Sequence, residues 1–391
     1  MPLRYAFRNL TRDRGFSSIA ILTLALGIGS ITAIFSLING VLLKPIPYTN
    51  PDRLVTIEEL IPKLSAQFGA LPVNGRHFAE WRKQSRTFDR IAAIDSRRMT
   101  LTGAGEPEQI GTALVSANLF PLLGVQPIQG RGFLESEDQP GHQHVVVIAH
   151  SLWRRRFSSD PEITGKSINL GGVQHTIVGV LPPHFRFFAN NQLSSIASLE
   201  PNTEIFRPVA INFKDIGPMG DFNFTVIARL KPGVSSEQAQ AEINVVQAGI
   251  EAQLKGEGKA ELRAVVTPLQ KQITGQSRSG LLVLLTAVAA VLLIVCVNLA
   301  NLMLARALAR RRDAAIRMAL GASRGALIRE ILTESLLLSC IGGALGVTAA
   351  WWGVRVLVSA APVNIPRLEE VTLDGTVLAF SLLITDRKSV V

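Results

Sequence analysis

The chain has 391 residues, a formal net charge of +10 and a positive mean hydropathy of +0.28. The hydropathy comes from a few long apolar runs, which excludes a purely soluble globular chain. Eight of the ten excess positive charges lie in residues 1–14 and 306–330, next to those runs, so the charge indicates membrane topology and not a nucleic-acid surface. Both cysteines lie inside apolar runs, which excludes a disulfide framework.

The first apolar run, Gly15–Leu43, has no charged residue and follows four arginines. It exceeds the roughly 20 residues that cross a bilayer, and the arginines predict a cytoplasmic N-terminus. A cleaved signal peptide is the alternative. The run is about twice as long as a usual signal-peptide core and no small-x-small cleavage site follows it, which favours an uncleaved anchor.

The next segment, 44–278, alternates strand and helix patterns without a long apolar run. Short helices are predicted at 76–85 and 151–157, and strands at 145–148, 168–170, 173–180, 224–230 and 261–266. Ser235 and Gln238 form a capping-box pattern before an apolar helical stripe of Ala239, Ile243, Val246, Ile250 and Leu254. The alternation predicts an α+β domain of two lobes, with a βαβ-like unit at its end.

A catalytic or metal site is not indicated in this segment. Gly256–Lys259 lacks the spacing of a phosphate loop, and the sequence contains no HExxH or GxSxG motif. The histidines His142, His144 and His150 cluster without a further ligand at fixed spacing, so they are expected to be solvated. The run Trp153–Arg156 has two interpretations, a grip for an acidic partner or a solvated helix face, and the second is favoured. We therefore expect no enzyme activity, metal or cofactor.

Two further spans, Ser279–Ala305 and Ser335–Val354, flank a basic segment of residues 306–330. Seven arginines against two acids in that segment predict that it is cytoplasmic. A short helix is expected to end at Gly321, with Ser323 capping the next helix. A fourth run, Thr376–Thr385, has only ten residues and is too short to cross as written. The predicted fold is a membrane protein of three complete spans and a truncated fourth, with the α+β domain between spans one and two.

Small residues recur every fourth position on two of the spans. They are Ala25, Gly29 and Ala33 on the first span and Gly342, Gly346 and Ala350 on the third. Such spacing allows close approach of helix backbones in lipid, which makes these six residues candidate helix-packing positions. Glycine and alanine are also simply frequent in membrane helices.

Several longer motifs resemble one known family. They include LTLALGIGSITAIFSLINGVLLKPIPY at 22–48, LVSANLFPLLGVQPIQGRGF at 114–133, SLWRRRF at 151–157, TIVGVLPPHF at 176–185, ARLKPGVSSEQAQAE at 228–242 and the run from Asn298 to Leu338. In this order they resemble the MacB/FtsX-like permeases of ABC transport systems, including the long duplicated permeases of acidobacteria.

The resemblance implies three parts: residues 1–43 as N-terminus and first span, 44–278 as a MacB-like periplasmic core domain, and 279–391 as an FtsX-like permease domain. It also implies an inner-membrane permease subunit that a separate cytoplasmic ATP-binding subunit drives by mechanotransmission, for export of antibiotics, peptides or lipoprotein-like substrates. A second permease copy or duplicated half, a periplasmic adaptor and membrane lipid are the other implied partners. The coupling positions correspond to Arg312, Asp313, Ile316, Arg317, Ala319, Leu320, Gly321 and Ala322, with Asp313 where the family usually has Glu.

Two alternatives remain at this point. One is a membrane-anchored sensor or scaffold that transmits a signal without moving a substrate, and the other is a membrane-bound hydrolase. The chain is also expected to be one incomplete half of a duplicated permease, because its fourth span breaks off before the final DRKSVV.

Overall fold

The protein was analysed as a computed structural model. The structure describes residues 14–103, 105–188, 192–193, 199–200, 202–212, 215–217, 221–253, 261–309, 316, 319, 323–360, 375, 377 and 379. The chain divides into two compact units. Residues Pro45–Gly275 form one unit, and the described residues up to Lys44 and from Gln276 onward form the other.

The described residues form eight α-helices and eleven β-strands. The helices are α1 (Arg14–Ile38), α2 (Ser65–Phe68), α3 (Gly75–Gln84), α4 (Leu119–Leu123), α5 (His150–Phe157), α6 (Ser236–Gln253), α7 (Leu269–Ala309) and α8 (Arg324–Ala360). The strands are β1 (Leu54–Leu60), β2 (Val73–Asn74), β3 (Phe88–Thr102), β4 (Glu108–Val115), β5 (Gln129–Gly130), β6 (Val145–Ile148), β7 (Ser167–Leu170), β8 (Val173–Val180), β9 (Thr203–Pro208), β10 (Phe222–Leu230) and β11 (Arg263–Pro268).

Three of the described helices are long and apolar enough to cross a membrane. The candidate spans are Gly15–Leu43, where a π-helical turn at Asn39–Leu43 continues α1, Arg278–Arg306 in α7, and Leu332–Val356 in α8. Their limits lie within three residues of those predicted from charge-free length, which confirms the three-span prediction. The predicted fourth run lies outside the described residues, apart from the helical positions Val377 and Ala379.

The strands of the other unit join into one hydrogen-bonded network, in the order β11-β1-β10-β3-β4-β9-β6-β8-β5, with β2 on β10 and β7 bridging β3 and β8. The expectation of two lobes is therefore wrong for the described residues, because strands from distant parts of the chain pair across the supposed boundary. The parallel pair of β4 and β9 is such a long-range connection.

The first and last strands of the sheet unit are neighbours. β1 pairs with β11 in antiparallel register from Val55 opposite Pro268 to Leu60 opposite Arg263, and β10 pairs with the other edge of β1. The predicted β10–α6–β11 unit is thus present, with β1 inserted between its two strands. The domain is α+β, as predicted.

Local signals in the sequence correspond closely to the structure. β7 and β8 form an antiparallel hairpin, and Gly171 and Gly172 at its turn have positive φ angles of 62° and 87°. At the start of α6, the Ser235 N–H donates to Gln238 Oε1 at 2.9 Å and the Gln238 N–H donates to Ser235 Oγ at 3.3 Å. The capping box is confirmed, and four of the five predicted stripe residues are buried: Ala239, Ile243, Val246 and Ile250. The fifth, Leu254, lies outside the described residues.

A buried arginine ties the loop that precedes β1 to the core. Arg229, in β10, is only 5% exposed. Its Nε donates to the Leu122 carbonyl at 2.8 Å, and its Nη2 donates to the Thr49 carbonyl at 2.6 Å. Burial lowers the pKa of Arg229 from its ordinary value, and the repulsion from nearby Arg53 acts in the same direction. The guanidinium nevertheless supplies donors to backbone carbonyls that would otherwise be desolvated without a partner.

Candidate functional site

The two predicted stripes of small residues face each other. An ideal Cβ added to Gly29 would lie 2.9 Å from the Gly346 carbonyl oxygen, and one added to Gly346 would lie 2.9 Å from the Ala25 carbonyl oxygen. A Cβ on Gly342 would lie 2.7 Å from Leu24 Cβ. Helices α1 and α8 are therefore in backbone contact, which leaves no room for a side chain at these three glycines.

The alanines at the C-terminal ends of the two stripes, Ala33 and Ala350, also lie in packed positions. Ala350 is buried, and Ala33 packs against a cluster formed by Leu37, Ile38, Val41, Leu281 and Val354. At these positions, dispersion contacts with neighbouring helices replace contacts with lipid. Both stripes therefore take part in the contact between α1 and α8.

The contacts also give the relative direction of the spans. Leu24 meets Gly342 and Gly29 meets Gly346, so α1 and α8 run parallel. In α7, Leu299 and Met303 pack near Phe16 and Ala20 at the start of α1, while Leu281 and Leu285 pack near its end. The second span therefore runs antiparallel to the other two. This is the alternation expected for consecutive spans that start in the cytoplasm.

A buried ion pair lies where the starts of the first and third spans meet the end of the second. Arg306 Nη1 is 2.5 Å from Glu334 Oε1, and the two side chains are 12% and 9% exposed. The Arg306 guanidinium also lies over the Phe16 ring, 4.4 Å from its centroid. Residues of α7, α8 and α1 are thus joined through one cation, by a charge-assisted contact and a cation–π contact.

Sequence reasoning placed Arg306 in the basic segment but did not identify Glu334 as its partner. The available signal was a single acid immediately before an otherwise uncharged span, since ionisable residues at such depth are usually paired. Glu334 precedes the predicted span by one residue, at the point where the chain enters the membrane.

The coupling positions are only partly described. Ile316 and Ala319 are helical and exposed, and Ile316 presents 55% of its surface to solvent. The other six positions, Arg312, Asp313, Arg317, Leu320, Gly321 and Ala322, lie outside the described residues. α8 begins directly after Ser323, at the position predicted for the start of that helix.

A buried polar pair in the sheet unit escaped sequence reasoning. Glu59 in β1 is fully buried, and His77 Nδ1 in α3 lies 2.9 and 3.0 Å from its two carboxylate oxygens. The Asn74 N–H also donates to Glu59 Oε1 at 3.1 Å. Burial raises the pKa of Glu59, against the opposing effects of the hydrogen bond and charge of His77 and the Asn74 bond. The pair joins β1 to α3, and no spacing rule links positions 18 residues apart on two different elements.

Among the described residues, no group of three or more His, Cys, Asp or Glu side chains is arranged to hold a metal ion. His142 and His144 are exposed, as expected for solvated side chains, whereas His150 is half-buried and its ring packs against Trp153. Glu59 and His77 contact each other and the Asn74 N–H, and no third ligand joins them from the part of the chain that the structure describes, so we interpret the pair as a structural link between β1 and α3.

Comparison with known families gives two matches along the chain. Residues 17–246 match the MacB-like periplasmic core domain, and residues 285–385 match the FtsX-like permease C-terminal domain. The first match alone covers more than half of the 391 residues. The chain belongs to the MacB-like periplasmic core domain family. It joins that domain to an FtsX-like permease domain, in the order that the motifs indicated.

Curated relatives of this family member include larger transport proteins. It is 29% identical over 238 residues to the macrolide export ATP-binding/permease protein MacB of Chromobacterium violaceum, covering 61% of this chain and 34% of that protein. It is 24% identical over 307 residues to the pyoverdine export ATP-binding/permease protein PvdT of Pseudomonas fluorescens, covering 74% and 44%. The chain thus spans between about a third and a half of the length of these two relatives.

Among solved structures, the periplasmic region of MacB from Actinobacillus actinomycetemcomitans is 15% identical and covers 61% of this chain and 95% of that one, with a TM-score of 0.40. The family assignment, together with the three apolar helices, identifies an inner-membrane protein of the ABC permease class. The domain between the first and second spans is its periplasmic domain.

Proposed function

We propose that this chain is the permease subunit of an ABC export system in which a separate cytoplasmic subunit hydrolyses ATP. The main support for this proposal is that one chain matches both a MacB-like periplasmic core domain and an FtsX-like permease domain. The residues of this chain include no GxxxxGK(S/T) phosphate-binding loop, and we propose that the separate subunit binds the ATP.

The basic segment of residues 306–330 is the proposed docking site for that subunit. Its helical position Ile316 exposes an apolar side chain ten residues beyond the end of the second candidate span, Arg278–Arg306. Ile316, Ala319 and Leu320 have the i, i+3, i+4 spacing of one helix face, and Arg312 and Arg317 flank it. An apolar face bordered by arginines fits a protein partner with apolar and acidic residues.

The buried Arg306–Glu334 pair supports a mechanical role for this segment. The segment begins at Arg306 and continues into α8, which carries Glu334, so a displacement of the segment acts on two spans at once. We propose that ATP-driven movement of the docked subunit changes the packing of the spans, and that the periplasmic domain responds without substrate crossing the bilayer.

The assembly is proposed to contain two copies of the permease or two duplicated halves, a periplasmic adaptor and bound lipid. The cargo class proposed is an antibiotic, peptide or lipoprotein-like molecule for efflux. The curated relatives that carry export names are the support for this class.

The test is stimulation of ATP hydrolysis by the permease. The tagged chain is purified from its native membrane, the co-purifying ATP-binding protein is identified by mass spectrometry, and its ATPase rate is measured with and without permease in nanodiscs. Leu320→Asp introduces a charge into the docking face and is expected to abolish the stimulation while insertion stays normal. Leu134→Asp, at an exposed leucine of the periplasmic domain, is the matched control. Wild-type stimulation by well-inserted Leu320→Asp protein would refute the docking assignment.

A further inference from the structure

A concave cleft of about 540 Å³ opens on the surface of the periplasmic domain. Its two walls are the first turns of α5, with His150, Arg154 and Arg155, and the loop after β8, with Pro182, Phe185 and Arg186. The cleft is of the size that binds small molecules, which is typically about 300–1,000 Å³. It includes two arginines of the run Trp153–Arg156, which the sequence allowed as a grip for an acidic partner or as a solvated helix face.

The cleft forms where two parallel strands end. β6 and β8 pair in parallel from Val145 opposite Thr176 to Ile148 opposite Val180, and the Leu181 N–H continues the pairing by donating to the Ile148 carbonyl. α5 follows β6 directly, and the loop follows β8. The carboxyl edge of parallel strands is where α/β folds form ligand crevices, because the connections diverge there.

The charges of the cleft are not balanced. The Arg155 guanidinium is neutralised by Glu108 at 2.8 Å and Glu204 at 2.6 Å. Arg154 is exposed, and none of the described carboxylates lies within ion-pair distance of its guanidinium. Arg186 adds a second cation on the opposite wall. The charge of Arg154 therefore leaves a positive potential at its wall of the concavity, where an anion is favoured.

The loop wall is held in place by the core. The Phe185 ring packs edge-on against Phe120 and Phe206, at centroid distances of 6.1 and 5.9 Å. The Tyr48 hydroxyl donates to the Arg186 carbonyl at 2.7 Å, and the Arg186 guanidinium donates to the Pro183 carbonyl at 3.2 Å. These contacts fix the apolar surface of the cleft before any ligand arrives, which lowers the ordering cost of binding.

We propose that this cleft binds a small amphipathic oxyanion, a carboxylate or phosphate attached to an apolar group. The oxyanion would lie between Arg154 and Arg186, since guanidinium groups pair with planar or tetrahedral oxyanions through two hydrogen bonds. The apolar group would lie on Pro182 and Phe185. This site is distinct from the coupling segment, and it does not depend on the proposed ATPase partner.

The experiment titrates the full chain in nonionic detergent with five probes by ligand-observed NMR. The probes are phenyl phosphate, phenylacetate, soluble dihexanoyl phosphatidate, inorganic phosphate and benzyl alcohol. Saturable binding of at least one amphipathic anion, tighter than that of inorganic phosphate and of benzyl alcohol, is expected. Tightest binding of the phosphatidate would identify a lipid headgroup as the source, whereas tighter binding of phenyl phosphate or phenylacetate would identify a free small molecule.

Two variants assign the binding to the cleft. Arg154→Gln removes a cation that pairs with none of the described carboxylates, and it is expected to weaken binding of the tightest anion about tenfold, as the loss of a charged hydrogen bond does. Arg263→Gln, at an exposed arginine of β11 outside the cleft, is expected to leave binding unchanged. Equal affinities in the two variants, or no saturable binding of any amphipathic anion in the millimolar range, would overturn the proposal.

Discussion

Gly29 and Gly346 lie backbone to backbone, so that a Cβ on Gly29 would meet the Gly346 carbonyl oxygen at 2.9 Å. The obstruction is main chain and cannot rotate away, unlike the end of a side chain. The two glycines are more than 300 positions apart in the sequence, and their contact holds the first and third spans at backbone distance.

We predict that Gly29→Leu separates the first and third spans. Overpacking costs about 1–3 kcal/mol in a close-packed interior, and a clash with backbone lies at the upper end. The measurement is the thermal midpoint of the purified protein in detergent. Gly353→Leu, on α8 with open space around its Cβ position, is the control. If both variants melt at the same temperature, the glycine contact does not hold the spans together.

Removing one partner of the Arg306–Glu334 pair is predicted to destabilise the protein more than removing both charges. Loss of one partner of a buried pair costs about 3–5 kcal/mol because the remaining charge stays desolvated. Arg306→Gln and Glu334→Gln should therefore each lower the thermal midpoint by several degrees, and the double variant should recover part of the loss. Additive effects of the two substitutions would show that the charges do not interact.

The pH dependence of the periplasmic domain is predicted to include a contribution from Glu242. Its partial burial acts to raise the pKa, but hydrogen bonds from the Thr87 hydroxyl and from the N–H groups of Arg86 and Thr87 prevail and lower the pKa of Glu242. A carboxylate with a lowered pKa stabilises the fold above its unfolded value of 4.5, and that stabilisation is lost as the pH falls through the folded value.

Glu242→Gln should accordingly reduce the free energy of unfolding at pH 7 and have a smaller effect at pH 3, measured by urea denaturation followed by tryptophan fluorescence. Glu162→Gln, at an exposed glutamate of the same domain, shows how far a general loss of charge contributes. A Glu242→Gln effect that grows as the pH falls would contradict the assigned direction.

Arg229 is predicted to hold the loop that leads into β1 in its folded position. Arg229→Met releases the Thr49 carbonyl and leaves the buried Leu122 carbonyl without its donor, and a buried unsatisfied group costs about 1–3 kcal/mol. We expect faster proteolysis near residue 49 and a lower thermal midpoint. Arg76→Met, at an exposed arginine of α3, should change neither. Unchanged cleavage near residue 49 in Arg229→Met would show that the loop is held by other contacts.

Local features of this chain were accessible from sequence. The span limits follow from charge-free length, the β7–β8 hairpin from Gly171-Gly172, and the start of α6 from the Ser235–Gln238 capping pattern. Each of these depends on residues within about one element of each other, where steric and hydrogen-bonding rules act directly.

Long-range pairing was not accessible in the same way. The sequence gives no register for β4 against β9, so the sheet was expected as two lobes and is one network. The four-residue spacing of small residues indicated one stripe around Gly29 and another around Gly346, but it did not indicate that the two stripes contact each other. The Glu59–His77 and Arg306–Glu334 pairs escaped notice because a partner's identity depends on how elements pack, which a single sequence does not encode as a pattern.

The adjacency of β1 and β11 bears on how this protein was assembled in evolution. The residue that opens the first strand, Leu54, and the residue that closes the last, Pro268, lie at the same end of neighbouring strands. A domain whose entry and exit are close together can be inserted into a turn between two helices without disturbing either helix. The periplasmic domain therefore has the form of a cassette, and exchange of residues 45–275 between relatives requires only two short junctions.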